Sequence, residues 1–379
     1  MKVIAICNTA LQIISALNLK CKFFANDAFD VVISDHMNNS INIVNNANIY
    51  KVFDNTFYAE TFELCRRKKV LFSSGIKGKY QRAFLREKLL SEIIDIEKYD
   101  IMLFNNFDEF NRLLYQVLYR KNKNLKAYII EDGYSSYYAQ GWEWENIYKQ
   151  SNGIKYNIKK ILFGEIELAT NLSGQYVYDP DLVKWKAPFD RIKMPKISLS
   201  DKPFITLLNQ LFNYDIMEDS YDAPIIFFEE SFRKEGYDIG DIEMVETIAD
   251  IVGKNNIMIK RHPRNTDNVF AKLGYRVNMN TTIPWEVIIM NNPTLTEKIL
   301  VTICSGAAAT PYTMFGMQTN SVILLNLIKN RDKISYKFYD IYFDYMDCVV
   351  FKKNPEVFYM PQTLDELKEY FIKWKEKQC

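Results

Sequence analysis

The sequence predicts an α/β protein of two parallel-sheet domains facing each other across a central cleft. Short apolar runs alternate with helically periodic segments in both halves of the chain, the pattern of strands buried on both faces by crossover helices. The alternation lapses between Tyr134 and Ser200, where Pro180, Pro188, Pro195 and Pro203 punctuate the chain, and then resumes. A length of 379 residues also exceeds what one core comfortably serves, so an N-terminal domain over 1–195 and a C-terminal domain over 196–379 are expected.

Met1 to Cys7 reads as a buried strand and Thr9 to Phe24 as a helix with apolar residues at helical spacing. Phe29 to Ser34 is a second strand, Lys51-Val52-Phe53 a short third, and Ile101 to Phe104 another, with helical patterns over 57–70, 79–96 and 108–121. Tyr128 to Ile130 completes the first series. In the second half, strands are expected at Ile225–Phe228, Asn256–Lys260, Leu300–Cys304 and Val322–Leu325. Helices are expected at Gly240–Val252, Ser305–Phe315 and over 363–376, the last amphipathic. No internal repeat or low-complexity segment interrupts this order.

Hydrophobic residues make up 48% of the chain and the net charge is +1, which argues against a dedicated nucleic-acid binder. The six cysteines, Cys7, Cys21, Cys65, Cys304, Cys348 and Cys379, show no CxxC pair and no metal-ligand spacing. They fit reduced thiols better than a disulfide framework. Asn8, Thr9 and Gln12 break the first apolar run before a signal-peptide core forms. No stretch approaches the ~20 apolar residues of a membrane-spanning helix. A cytoplasmic protein is expected, with the inner face of the cell membrane as a further location. The basic run Lys155, Lys159, Lys160 and the final helix would make that peripheral contact, although ordinary packing is the commoner use of such a helix. A homodimer is left open.

The chemistry is expected at strand ends, where open parallel sheets bind ligands. Lys260-Arg261-His262-Pro263-Arg264 follows the apolar run Ile257-Met258-Ile259 and holds one of only two histidines. It concentrates cations and hydrogen-bond donors suited to a phosphate, whose charge grows as its bond breaks. Glu131-Asp132-Gly133 follows Tyr128-Ile129-Ile130 and offers a carboxylate as general base beside a flexible glycine. Thr302 to Thr310 runs from a strand through small residues into a helix, so Ser305 and Gly306 can bring backbone N–H groups to a phosphate. Glu229-Glu230 at another strand end can bind a ribose or position substrate, and Asp238 and Asp241 are alternative carboxylates for the base role. Each of these motifs also has a plain structural use as a turn, a cap or a solvated charge. Asp179-Pro180-Asp181 matches a metal-binding DxD only superficially, because no long buried strand precedes it. Neither GxGxxG nor a Walker A sequence occurs.

An acidic pair before glycine in the first half, a His-Pro motif in the second and a later small-residue serine motif together resemble bacterial sialyltransferases. The opening Ile4-Ala5-Ile6-Cys7-Asn8-Thr9-Ala10-Leu11-Gln12 is similar to the start of glycosyltransferase family 52, the lipooligosaccharide and capsule sialyltransferases. The resemblance implies a GT-B-like fold of two Rossmann-type domains. It also implies metal-independent, inverting transfer of sialic acid from CMP-sialic acid to a terminal galactoside of a surface glycan, with no cofactor. By motif match, Asp132 would be the base and His262 the group on the CMP phosphate. Lys260, Arg261, Pro263, Arg264, Ser305, Gly306 and Glu229 would surround the nucleotide. Glu131, Gly133, Asp238, Asp241 and Gln12 are kept as substrate contacts or alternative bases. Transfer from another nucleotide sugar such as a UDP-hexose, or nucleotide and carbohydrate binding without turnover, are the competing readings.

Overall fold

The computed structural model describes residues 1–61, 87–88, 90–151, 153–154, 158, 166–215, 221–330, 340, 342, 344–346 and 357–378. They form two compact units, Met1–Pro195 with Gln210–Asn213, and Lys196–Asn209 with Tyr214–Cys379.

The first unit is built on a seven-stranded sheet, β1 (Lys2–Cys7), β2 (Ala28–Ser34), β3 (Asn55–Ala59), β4 (Ile101–Phe104), β5 (Lys126–Ile130), β6 (Leu172–Val177) and β7 (Asp190–Lys193). Its order is β3-β2-β1-β4-β5-β6-β7, and all its pairings are parallel. Around it lie helices α1 (Ala10–Phe23), α2 (Ser40–Ile49), α3 (Glu109–Lys121) and α4 (Ala139–Ser151). β1 buries Val3 to Cys7 completely, as a central parallel strand must. A capping box starts α1: Thr9 Oγ1 accepts from Gln12 N at 3.3 Å while Gln12 Oε1 accepts from Thr9 N at 3.1 Å, a device worth roughly 0.5–2 kcal/mol. The core joins Ile4, Ile6, Val32, Met102, Phe104, Leu114 and Ile129, each burial contributing about 1.5–3 kcal/mol.

Several expected elements move. Val52 and Phe53 are buried, with Phe53 stacked on Phe29 at 6.0 Å, yet they lie in a bend after Lys51, whose φ is 50°. The strand is Asn55–Ala59, so the helical pattern expected from 57 begins in a strand. Most of the 57–70 and 79–96 patterns lies outside the described residues, as do Cys65, Cys348, Cys379, Lys155, Lys159 and Lys160. The loosened stretch from Tyr134 holds α4, β6 and β7. Its strands escape the apolar pattern because β6 buries Gln175 and Gly174: Gln175 Nε2 donates to Ser136 O and Gln140 Oε1, and the Tyr128 ring lies 3.1 Å from where a Gly174 Cβ would stand.

The second unit repeats the plan. After α5 (Lys202–Phe212, whose last turn belongs to the first unit) come β8 (Ile225–Phe228), α6 (Asp241–Val252), β9 (Ile257–Lys260), α7 (Val269–Lys272), β10 (Arg276–Asn278) and α8 (Trp285–Asn291). There follow β11 (Ile299–Thr302), α9 (Thr310–Phe315), β12 (Asn320–Ile323), β13 (Phe358–Tyr359) and α10 (Leu364–Glu376), which packs on α6. The sheet order is β10-β9-β8-β11-β12-β13, the same permutation as the first six strands of the other sheet and the 3-2-1-4-5-6 order of dinucleotide-type folds. Both units are therefore Rossmann-type. The helix expected over Ser305–Phe315 is split: Gly306–Ala308 is a 3-10 turn and α9 begins at Thr310. No helix among the described residues is long and apolar enough to cross a membrane.

Candidate active site

In the first unit the acidic motif sits at the carboxyl end of β5, against the start of α1. Gly133 takes φ +60°, so the chain turns sharply and Asp132 N donates to Ser136 Oγ at 2.6 Å. Thr9 Oγ1 donates to Asp132 Oδ1 at 3.2 Å, and the Gln12 side chain donates as well. With its Oε1 already accepting from Asn8 N at 2.5 Å and Thr9 N at 3.1 Å, Gln12 presents its amide N–H to the carboxylate. Asp132 is half-buried. Burial pushes its carboxyl above the usual range, and the Gln12 and Thr9 hydrogen bonds pull back. A carboxylate so placed is both shielded and oriented, as a general base needs.

Glu131 has a different use. It is 2% exposed and its Oε2 accepts from Tyr137 Oη and from Tyr178 N, both at 2.6 Å. Burial first, then Asp132 beside it, push its carboxyl up to about 8, against those hydrogen bonds. Both bonds tether the loop to β6 and hold the carboxyl in the interior. The linkage sign follows: the folded state binds the extra proton between the ordinary value of 4.5 and about 8, so this group stabilises most at low pH and its contribution is lost as pH rises through about 8. Glu131→Gln is expected to flatten the fall of melting temperature with pH over that window, read by thermal unfolding at a series of pH values.

In the second unit three loops meet at the carboxyl edge of the sheet, where Lys260 and Thr302 pair at one level on either side of Phe228. The adjacent acids after β8 grip one neighbour each. Glu229 Oε2 accepts from His262 N at 3.1 Å, and its Oε1 meets Arg233 at 2.7 Å. Glu230 Oε1 accepts from Thr302 Oγ1 and from Cys304 N, both at 3.2 Å. The chain thus uses one dipeptide to fix the His-Pro loop and the serine loop together. Burial pushes the Glu230 carboxyl up to about 7 against those two bonds. Arg233 also binds Asp241, at 2.9 Å, and the side chains of Glu229 and Asp241 are 2% and 3% exposed. Removing the cation leaves two buried carboxylates facing each other, so Arg233→Ala is expected to cost about 3–5 kcal/mol, seen as a fall in the denaturant midpoint.

His262 Nδ1 accepts from Arg264 N at 3.1 Å, so the neutral ring carries its proton on Nε2. Burial, with the charge of Arg264 next, pushes the imidazole down to about 4. The ring is a neutral N–H donor at physiological pH. Ser305 caps the 3-10 turn, its Oγ accepting from Ala307 N at 3.3 Å and its own N–H bound to Thr302 Oγ1 at 2.9 Å. Among the described residues no acceptor takes the hydroxyl hydrogen of Ser305 or the N–H of Gly306.

Not every candidate faces outward. Lys260 is 8% exposed and its Nζ approaches Ile283 O at 3.4 Å, so it belongs to the core. Arg261 donates to Asn265 O at 2.5 Å. Pro263 and Arg264 are exposed, and Arg264 reaches Glu235 at 3.3 Å. Glu229, expected on a ribose, is occupied by His262 and Arg233. Asp241 is locked on Arg233 and drops out as a base, whereas exposed Asp238 accepts from Gly240 N at 3.0 Å in a turn. Gln12 is 1% exposed and acts on Asp132, not on substrate. Ser136, Thr302 and Arg233 were not anticipated. An arginine four residues after Glu229 was the one legible signal; the hydroxyls carry none.

In comparisons with known proteins, no curated sequence shows significant similarity to the chain. Among solved structures it is similar to a Listeria monocytogenes protein assigned as a UDP-N-acetylglucosamine 2-epimerase, at TM-score 0.53 and 13% identity over 100% of this chain and 88% of that one. It is also similar to the glycosyltransferase of kitacinnamycin, at TM-score 0.51 and 10% identity over 98% and 89%. The Methanocaldococcus jannaschii UDP-GlcNAc 2-epimerase solved with UDP-GlcNAc and UDP gives TM-score 0.50 and 12% identity over 98% and 93%. At such identities the likeness establishes the GT-B class of fold alone. The profile of the Alpha-2,8-polysialyltransferase (POLYST) family matches residues 3–323, a span that includes the Asp132 turn, the Glu229-Glu230 grip, the His262 loop and the Ser305 turn. The chain belongs to the alpha-2,8-polysialyltransferase family: it is a sialyltransferase, a glycosyltransferase that takes a nucleotide-sugar donor and a glycan acceptor.

Proposed function

We propose that the chain transfers sialic acid from CMP-sialic acid, with inversion and without a metal ion, onto a terminal sugar of a bacterial surface glycan. Asp132 takes the proton of the acceptor hydroxyl as its oxygen attacks the sialyl anomeric carbon. The bond from that carbon to the CMP phosphate breaks, and its electron pair leaves with CMP. Charge therefore grows on a phosphate oxygen, where His262 Nε2–H, the Ser305 hydroxyl and Gly306 N–H donate hydrogen bonds. Donors that strengthen as the charge develops stabilise the transition state over the ground state. The observation that supports this reading is that the adjacent Glu229 and Glu230 fix the His262 loop and the serine loop at the same edge of the sheet, with Arg264 N orienting the His262 ring.

A galactoside acceptor follows from the motif resemblance. The description of the matched family favours a second, a glycan ending in sialic acid and extended through its 8-hydroxyl. The test is CMP release from CMP-sialic acid with EDTA present, using lactose, sialyllactose or trisialic acid as acceptor and UDP-sugars as competing donors. Acceptor-stimulated release in EDTA supports the donor and the metal-free mechanism, and the better acceptor decides between the two termini. Turnover of a UDP-sugar in place of CMP-sialic acid overturns the proposal.

A further inference from the structure

At the carboxyl edge of the second sheet, the Glu230 side chain lies directly behind the serine turn. Its Oε1 accepts from Thr302 Oγ1 and from Cys304 N, both at 3.2 Å, and the Cys304 thiol donates to the same carboxyl. Thr302 Oγ1 in turn accepts from Ser305 N at 2.9 Å. Two hydrogen bonds therefore connect this carboxyl with the N–H that opens the turn. The Glu230 carbonyl accepts from Asn265 Nδ2 at 2.9 Å, in the loop of His262. Held from both loops, the carboxyl has no room to swing away from an anion bound at Ser305 and Gly306.

The charges around it do not offset such an anion. Glu229 and Asp241 share Arg233, at 2.7 and 2.9 Å, so two carboxylates meet one cation, and Asp241 pushes the Glu230 carboxyl up as well. On the neighbouring strand β9, Lys260 Nζ approaches Ile283 O at 3.4 Å and its charge acts on Glu286. Arg261 is turned to Asn265 O. Arg264 pairs with Glu235 at 3.3 Å, and Lys234 is exposed; both lower the pKa of the His262 ring, which stays neutral. The Cys304 thiol is pushed well above its ordinary value by burial and by Glu230, so it is neutral too. An ionised Glu230 thus adds negative charge to a set in which carboxylates already outnumber the cation they share. That charge repels the phosphate which the Ser305 and Gly306 donors suit. Burial holds the Glu230 carboxyl up at about 7, and a phosphate on the turn pushes the same way, because like charges disfavour ionisation.

We propose that Glu230 is a proton-linked positioning residue of the donor site: it holds a proton while the phosphate is bound, and takes that proton from solvent as the phosphate binds. The inference rests on the reading of Ser305 and Gly306 as donors to the phosphate. Protonated, Glu230 still tethers Thr302 and Cys304 but no longer opposes the charge that grows on the leaving phosphate. The product monophosphate, with a second pKa of about 6, carries more charge at neutral pH than the phosphodiester of the donor. It therefore holds the proton on Glu230 more firmly. The sign follows: affinity is full below the free carboxyl's value of about 7 and falls as pH rises through it.

The test is calorimetric titration of the intact protein with CMP between about pH 7 and pH 8.5, where the CMP phosphate is already a dianion. UMP is the comparison nucleotide. The Kd for CMP should rise about tenfold over this range in wild type and change by less than about twofold in Glu230→Gln. The amide of that variant keeps an acceptor for Thr302 and Cys304 and carries no charge. At about pH 8, wild type titrated in two buffers of different ionisation enthalpy should show uptake of roughly one proton, and Glu230→Gln none. A merely structural tether takes up no proton and weakens CMP equally at every pH. A flat Kd in wild type, binding without proton uptake, or a pH slope retained in Glu230→Gln overturns the linkage, while CMP binding in the same titrations leaves the donor assignment standing. Proton uptake that accompanies UMP, with no binding of CMP, keeps the linkage and overturns the donor assignment.

Discussion

Asp132→Asn is expected to lower kcat for sialyl transfer by about 10²- to 10⁴-fold, the usual contribution of a positioned base, with little change in melting temperature. The substitution keeps the shape of a half-buried side chain whose backbone is set independently by Gly133 and Ser136, and its one oxygen can still accept from Thr9 or Gln12. What it removes is the proton acceptor. Glu131 cannot replace it, because that carboxyl is buried under Tyr137 and Tyr178 and pushed up to about 8. The supporting donors supply a sharper check. Hydrogen bonds from Gln12 and Thr9 lower the Asp132 pKa against the effect of burial, so removing either raises it. The acidic limb of the kcat/KM profile should move to higher pH in Gln12→Ala and Thr9→Ala. A limb that stays in place in both, or an Asp132→Asn enzyme of near-normal kcat, assigns the base elsewhere. Glu230, half-buried with its carboxyl pushed up to about 7, is then the next group to replace.

Much of this organisation is legible in the residues because apolar content marks a buried parallel strand. Runs such as Val3 to Cys7 and Ile225 to Phe228 are buried on both faces and announce themselves. Strand-end placement is readable for the same reason: Asp132, His262 and Ser305 each follow such a run. The missed elements are those whose interior is polar or whose apolar residues fill a turn. β6 hides because Gln175 is satisfied by partners far away in sequence, and β3 because Val52 and Phe53 plug the core from a bend. Direction is harder to read than position. Lys260 and Arg261 look like parts of a cationic cluster, but strand alternation and a tight loop turn them onto Ile283 O and Asn265 O. Likewise Glu229 resembles a ribose ligand until Arg233 and His262 N are seen to occupy both its oxygens. Linear spacing shows which groups gather at a sheet edge; side-chain hydrogen bonds decide which of them are still available.

His262 gives the second large effect, and its protonation state makes the expectation specific. His262→Ala should lower kcat by about 10²- to 10³-fold, as loss of one oriented donor to a developing oxyanion does. The ring nitrogens are distinct: Nδ1 accepts from Arg264 N at 3.1 Å, and Nε2–H is left for the phosphate. Gln places an amide N–H near the Nε2 position, whereas Asn places its polar atoms near Nδ1. His262→Gln should therefore recover part of the loss and His262→Asn should not. Burial and Arg264 push the imidazole down to about 4, so it is already neutral at pH 6. The free enzyme's kcat/KM profile should then show no decline near pH 6.5 from loss of an imidazolium proton, and its basic limb should be the same in His262→Gln. A basic limb near pH 6.5 that vanishes in His262→Gln would instead make His262 a cationic acid, and would sink the account of it as a neutral hydrogen-bond donor. Stability offers an independent reading of the same shift. A histidine with a folded pKa below 6.5 stabilises fully above 6.5 and loses that contribution as pH falls toward about 4. Wild type should therefore lose melting temperature through this acidic window more steeply than His262→Gln, a comparison that needs neither substrate nor turnover.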